Sequence, residues 1–366
     1  MIPVNRTLFI SGEKKYLAEC INSNWISSEG PFVKEFEEKF SKYIGRKYGV
    51  AVSSGTAALE VAMGAVGLKP GDEVIMPAFT IISCALAVVN YGGVPVFVDS
   101  EPETWNIDAG KIEEKITKKT KAIMIVHIYG HPCDMAPIIK IAKKHKLLII
   151  EDVAEAHGAE YKNKKCGSFG DISCFSFYAN KIINTGEGGM VLTDNKNYFE
   201  RAKNLRNLSF GKEKRFVHTE LARNYRMTNL QAAVGVAQLK NINKLIKIKR
   251  DNAKKYTELL KDVKGLQLPV EKNYAKNVYW MYGIVLSEST GFTAENFAKK
   301  LAGRGVQTRP FFYPLNLQSV FKSFKKTKCP VAETIEKQGF YLPSGLGLKK
   351  SEIEVVCNII GKMLKS

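Results

Sequence analysis

The sequence has seven cysteines, an odd number, and no two of them form a C-x-x-C pair. Scattered thiols suit a reducing compartment and argue against a disulfide framework. Apolar runs fall short of the roughly 18 to 20 residues that a membrane span needs. The opening stretch MIPVNRTLFISGEKK has no apolar core of the kind a signal peptide carries. A cytoplasmic protein with no membrane partner is expected. His127, His131 and His157 fit no compact zinc spacing, so no metal is expected either. No internal repeat or low-complexity linker occurs.

An arginine-rich, aromatic-laced stripe is missing too. The net charge is +19, but the excess is mostly lysine in short clusters such as KKTK (118–121), KKHK (143–146) and KNKK (162–165). Lysine clusters of this kind occupy solvated faces, and no nucleic-acid partner is expected. A positive field would still draw in an anionic small molecule.

What is present is an ordinary globular composition, 45% hydrophobic and 25% charged, in 366 residues. That length exceeds one hydrophobic core and predicts a large domain plus a smaller one. Strand-like runs occur at 48–54, 72–78, 94–100, 121–129, 147–155, 172–179 and 188–194. They are rich in Val and Ile and mostly unalternated, as strands covered on both faces must be. Helical stretches at 55–66, 135–146 and 197–206 fall between them. The pattern predicts an α/β fold: a mostly parallel seven-stranded sheet covered by helices. A long amphipathic region at 229–260 follows, then strand 278–286, helix 293–305, strand 306–311 and a terminal helix from about Ser351. These predict a smaller α+β C-terminal domain, with residues 1–240 in the large domain and 241–366 in the small one.

Ligands of open α/β sheets sit at the carboxyl ends of strands. The first end reads SSGTAAL (53–59), a strand, a Ser-Gly-Thr turn and a helix. Free N–H groups at the helix start, the close approach that Gly55 permits, and the hydroxyls of Ser54 and Thr56 make an anion seat. The bland alternative is an N-capped helix. The fifth end, EDVAEAHGAEY (151–161), puts carboxylates at the rim of an apolar core. An Asp there needs a cation or several donors, and a pyridinium nitrogen is such a partner. The alternative is an acidic residue marking a loop start. The sixth end gives SCFSFYANKIINTGEGGM, with Ser176 and Lys181 before a glycine-rich turn. A desolvated amine there can form an imine with a carbonyl; an exposed surface lysine is the alternative. The conjunction decides. A phosphate seat, an acid for a ring nitrogen and an imine-forming lysine are the requirements for holding pyridoxal 5'-phosphate.

SSGTAAL, EDVAEAHGA, FSFYANKIINTGEGGM and NYRMTNLQAAVGVAQL resemble the DegT/DnrJ/StrS family of nucleotide-sugar aminotransferases. WISSEGPFVKEFEEKF (25–40), EPETWNID (101–108), VHIYGHPCDM (126–135) and TRPFFYPL (308–315) are most similar to its GDP-perosamine synthase branch. The resemblance covers nearly the whole chain. It implies the fold-type I aminotransferase fold, a homodimer with its active site at the subunit interface, and amino transfer from L-glutamate to the 4-keto group of a nucleotide-linked 6-deoxy sugar for surface glycan synthesis. Such a relay implies ping-pong kinetics. By resemblance Lys181 carries the cofactor as an imine and shuttles protons, and Asp152 pairs with the pyridine nitrogen. Glu155 stands near the ring hydroxyl. Ser54, Gly55, Thr56 and Ser176 bind the phosphate, with Asn224 reaching it from the partner. Trp25, Ser27, Glu187, Arg309 and Tyr313 line the sugar-nucleotide side.

Three features depart from the family pattern. Ile81 stands where many relatives stack an aromatic on the cofactor ring. Asn316 stands where relatives of this branch tend to carry His, and NLSFGKEKRFVHTEL (207–221) differs from theirs. A UDP-linked substrate or a non-catalytic regulatory role are the alternatives. The family's sugar dehydratases replace the lysine with histidine, which Lys181 speaks against.

Overall fold

The computed structural model describes residues 1–366 except Ser11, Lys212, Arg215, Thr219, Lys325, Lys326 and Ser366. In chain order the strands are β1 (Tyr48–Val52), β2 (Glu73–Pro77), β3 (Val94–Val98), β4 (Thr120–Val126), β5 (Leu148–Asp152), β6 (Glu160–Tyr161), β7 (Lys164–Lys165), β8 (Ile172–Ser176) and β9 (Gly189–Thr193), followed by β10 (Leu266–Gln267), β11 (Ala275–Lys276), β12 (Tyr282–Leu286), β13 (Arg309–Pro310) and β14 (Gly339–Leu342).

The seven apolar runs form one sheet in the order β1-β9-β8-β5-β4-β2-β3. Only β9 runs against the others. Both β8 and β9 are buried along their whole length, because helices cover both faces. This is why their sequences lack the alternation of a sheet with one wet side. Helix Gly55–Ala65 exposes almost nothing: from Ala57 onward all its residues but Glu60 are buried. Its small side chains let it lie close on the sheet.

The stretch 229–260 is two helices, Asn229–Leu239 and Ile242–Leu260. A capping box between Thr228 and Gln231 starts the first of them. Helices Glu13–Asn22 and Pro31–Ile44 were not anticipated. The second had a legible signal: Pro31 at its first turn and buried Phe32, Val33, Phe36, Phe40 and Ile44 at helical spacing.

The smaller sheet has the order β10-β12-β14-β13, and β11-β6-β7 form a third, short one. The strand read at 278–286 starts only at Tyr282, since Tyr279 adopts a φ of 48° that breaks the extended run. The first residues of the chain lie against the small sheet: Ile2 bridges Val306, and Ser344 donates its N–H to the Val4 carbonyl.

Glu151, on the penultimate position of β5, is fully buried. Its carboxylate accepts the N–H groups of Gly167, Phe169 and Gly170 at 2.7, 2.7 and 2.6 Å. It also accepts from His127 Nε2 at 3.2 Å and lies 3.5 Å from Arg46. His127 Nδ1 takes the Cys133 N–H, so Nε2 carries the ring proton. Burial, the largest single influence, pushes the Glu151 carboxyl up, but His127, Arg46 and the backbone donors together pull it below the usual range. A carboxylate held low stabilises the fold above its unfolded value and loses that contribution as the pH falls through its folded value. Glu151→Gln would set an amide NH2 against a ring of donors. It should cost about 3–5 kcal/mol at neutral pH, and the gap to the parent should narrow in acid. Denaturant melts at pH 7 and pH 4 check both points; equal stability of the two proteins would show that the network is dispensable.

Candidate active site

The carboxyl ends of β1, β5 and β8 open onto one cavity of about 380 Å³. At the β1 end, Ser54 caps helix Gly55–Ala65 by accepting the Ala57 N–H at 3.1 Å. The N–H groups of Gly55 and Thr56 are therefore at the unpaired start of a helix, where an anion is favoured. Thr56 Oγ1 and Ser83 Oγ are 2.9 Å apart, and Ser176 at the end of β8 completes this wall. A Cβ on residue 55 would come within 2.7 Å of the Ser176 Cβ, so only glycine allows the two strand ends to approach.

Asp152 closes β5 and is 2% exposed. Its Oδ1 accepts the Ala154 N–H at 2.9 Å and its Oδ2 accepts the Cys84 thiol at 3.1 Å. Burial pushes this carboxyl up, with Ala154, Cys84 and the charge of Lys181 acting against it. A single neutral thiol and one backbone donor leave the carboxylate short of a cation.

Lys181 follows β8 in a turn closed by its own N–H on the Tyr178 carbonyl at 2.8 Å. Its Nζ lies 3.7 Å from the centre of the Trp280 ring. Burial pulls the amine's pKa down, while the charges of Glu155 and Asp152 oppose the shift. Glu155, buried, accepts the Tyr129 N–H at 2.7 Å. Burial moves its carboxyl up, again with Lys181 opposing. Next to them His157 is caged by Phe40, Phe175 and Phe177 and stays neutral, its pKa pulled down to about 3 by burial and then by Lys181. The arrangement joins a depressed amine to two elevated acids, the pattern of a site that moves protons near neutral pH.

Of the residues singled out from sequence, Ser54, Gly55, Thr56, Ile81, Asp152, Glu155, Ser176, Lys181 and Glu187 line this one cavity. Trp25, Ser27, Asn224, Arg309 and Tyr313 do not, and all five are exposed. Arg309 is nearby: it pairs in register with Tyr341, whose side chain does line the cavity. Sequence reasoning missed Cys84, Trp280 and Tyr341. Cys84 lies three positions after Ile81, but nothing in the sequence marks the thiol as a donor to Asp152. Trp280 was hidden in a run read as plain strand.

The cavity fits pyridoxal 5'-phosphate on its own observations. The glycine cradle at 55 would be filled by any side chain, the hydroxyl-lined helix start suits a phosphate, and the donors on the Asp152 carboxylate are one thiol and one backbone N–H among the described residues. Asn180, also lining the cavity, has an amide oxygen buried without a partner among the described residues. No group of three or more metal-ligating side chains occurs among the described residues, and no helix there is long and apolar enough to cross a membrane.

A doubly covered, mostly parallel sheet with this lysine, acid and anion seat at its strand ends defines a pyridoxal-phosphate aminotransferase of fold type I. The chain belongs to the DegT/DnrJ/EryC1/StrS aminotransferase family, whose description matches residues 10–361. It is 41% identical over 361 residues to a GDP-perosamine synthase of Escherichia coli O157:H7, covering 99% of this chain and 98% of that one. A GDP-perosamine synthase of Vibrio cholerae is 39% identical, with 98% of each chain covered. Among solved structures, the aminotransferase TlmJ from Streptoalloteichus hindustanus superposes with a TM-score of 0.94 at 30% identity, covering 100% of this chain and 99% of that one. The protein is a sugar aminotransferase.

Proposed function

We propose that the enzyme transfers the amino group of L-glutamate to the 4-keto carbon of a GDP-linked 6-deoxy sugar, a step in surface glycan synthesis. The observation that carries the reaction is the single cavity in which the depressed Lys181 amine lies among the buried acids Asp152 and Glu155. The choice of sugar is supported by about 40% identity, end to end, with GDP-perosamine synthases of two bacteria.

When bound, pyridoxal phosphate supplies a nitrogen carrier and an electron sink. In this reading, Ser54, Gly55, Thr56 and Ser176 bind its phosphate, and Asp152 keeps its ring nitrogen protonated. Glu155 would serve its ring hydroxyl, and Ile81 would give the ring site an apolar wall. Lys181 Nζ holds the cofactor and moves a proton between reacting carbons. Trp25, Ser27, Glu187, Arg309 and Tyr313 orient the sugar nucleotide. Asn224 serves the cavity of a second copy in a homodimer whose active sites lie at the interface; its exposure, away from its own chain's cavity, supports this. The division at residue 240 falls in the break between helices Asn229–Leu239 and Ile242–Leu260, which supports a large and a small domain meeting there. Seven buried free thiols support a cytoplasmic location.

Purified enzyme, glutamate and a panel of GDP- and UDP-linked 4-keto sugars test the reading, with mass spectrometry reporting which sugar gains an amine. The GDP-linked 6-deoxy sugar should. A UDP-linked product would replace the nucleotide, and no product at all would point to a regulatory member of the family.

A further inference from the structure

Lys249 is 4% exposed, in the middle of helix Ile242–Leu260, and none of the carboxylates among the described residues pairs with it. An ammonium in such a place is expensive unless something demands its protons, and burial pulls its pKa down to about 7. The demand comes from the end of the small sheet. Strands β12 and β14 stay in register up to the pair Tyr282 and Leu342 and then diverge. Beyond that pair, the Trp280 and Ser344 carbonyls both accept from Lys249 Nζ. A buried carbonyl left without a donor costs free energy comparable to a lost hydrogen bond, so one lysine satisfies two orphans.

One of those carbonyls belongs to the residue that forms the wall of the active site. The Trp280 ring is buried, meets Lys181 Nζ on its face, and donates its Nε1–H to the Asn180 carbonyl at 3.0 Å. The indole is therefore a strut held at both ends, by Lys249 at its backbone and by the residue before Lys181 at its ring. Arg250, next along the helix, holds the Asn277 carbonyl, and Val278 donates to the Gly130 carbonyl at 3.2 Å. The segment 277–280 thus links the helix to the site without a regular strand.

We propose that Lys249 is a positioning residue for the reaction: by holding the Trp280 carbonyl it fixes the indole face against which the Lys181 amine sits. This rests on Lys181 being the amine that captures the cofactor. Tyr256, two turns further along the same helix, provides the contrast. Its hydroxyl donates to the Pro343 carbonyl at 2.9 Å, at the same sheet end but with no link to Trp280.

The test uses the full chain freed of cofactor. It measures the rate at which added pyridoxal phosphate is captured and borohydride-trapped at Lys181, alongside kcat and KM of the reloaded enzyme. Lys249→Met keeps the length and the apolar stem but removes the donors. Capture and kcat should fall roughly tenfold, as expected for a small misplacement of a reacting group, while KM for the sugar nucleotide holds. Lys249→Arg should restore much of both. Tyr256→Phe should lower the melting temperature yet capture at the parent rate. Parent rates in Lys249→Met, or equal slowing in Tyr256→Phe, overturn the proposal. If Lys249→Met does not fold, Lys249→Gln takes its place, with parent rates again the overturning result. Failure of the unaltered protein to capture cofactor at Lys181 would instead overturn the functional reading beneath.

Discussion

Lys181→Ala should leave a folded protein that still binds pyridoxamine phosphate but has lost its turnover. Proton transfer by a positioned side chain is worth roughly 100- to 10,000-fold, and in the proposed reading Lys181 is asked for more than that, since there it would also hold the cofactor. The amine has no substitute nearby. Asp152 and Glu155 are acids pushed up by burial, and His157 is caged by phenylalanines with its pKa near 3. The cavity wall of Gly55, Thr56 and Ser176, proposed above to take the phosphate, is left intact by the substitution, so retention of the aminated cofactor should survive. Steady-state rates with the aminated sugar product quantified, and equilibrium binding of pyridoxamine phosphate, measure the two halves of this expectation. Activity within tenfold of the parent would remove Lys181 from the reaction.

The parts that were legible in the sequence share a physical cause. Strands β1 to β5, β8 and β9 are covered on both faces, so their residues form unbroken apolar runs that periodicity finds without help. The cavity follows from those runs because chemistry in such sheets gathers at the strand ends. What escaped detection depends on contacts between distant segments. Cys84 is a donor only because β5 brings Asp152 to it, 68 positions away. Trp280 belongs to a segment that reads as strand but turns at Tyr279, and Lys249 looks like one more lysine on an amphipathic helix. The exposed residues Trp25, Ser27, Asn224 and Tyr313 do not line the cavity at the ends of β1, β5 and β8.

The same limit governs the two neighbouring carboxylates of β5, and it separates their mutants. Successive strand residues face opposite sides of a sheet, so Glu151 and Asp152 stand in different surroundings although the sequence writes them as one pair. Glu151 is surrounded by donors and sits below its ordinary pKa; Asp152 has too few and sits above it. An acid whose folded pKa is raised lowers stability as the pH rises through that value, and above it the buried charge is a standing cost. Asp152→Asn removes the charge while keeping the shape. Its Oδ1 can still take the Ala154 N–H, and its NH2 can turn to the Cys84 sulfur, which accepts weakly. The cofactor-free variant should therefore melt at pH 7 no lower than the parent. Turnover should nonetheless fall roughly 100- to 1000-fold, the scale for losing one preorganised electrostatic partner of a reacting group. The amide would present a donor to a ring nitrogen that itself needs an acceptor. Thermal melts of the cofactor-free protein and kcat of the loaded one decide the matter together. An unchanged rate would mean that the ring nitrogen finds its partner elsewhere, and a collapsed melt would mean that the carboxylate at 152 is structural like its neighbour.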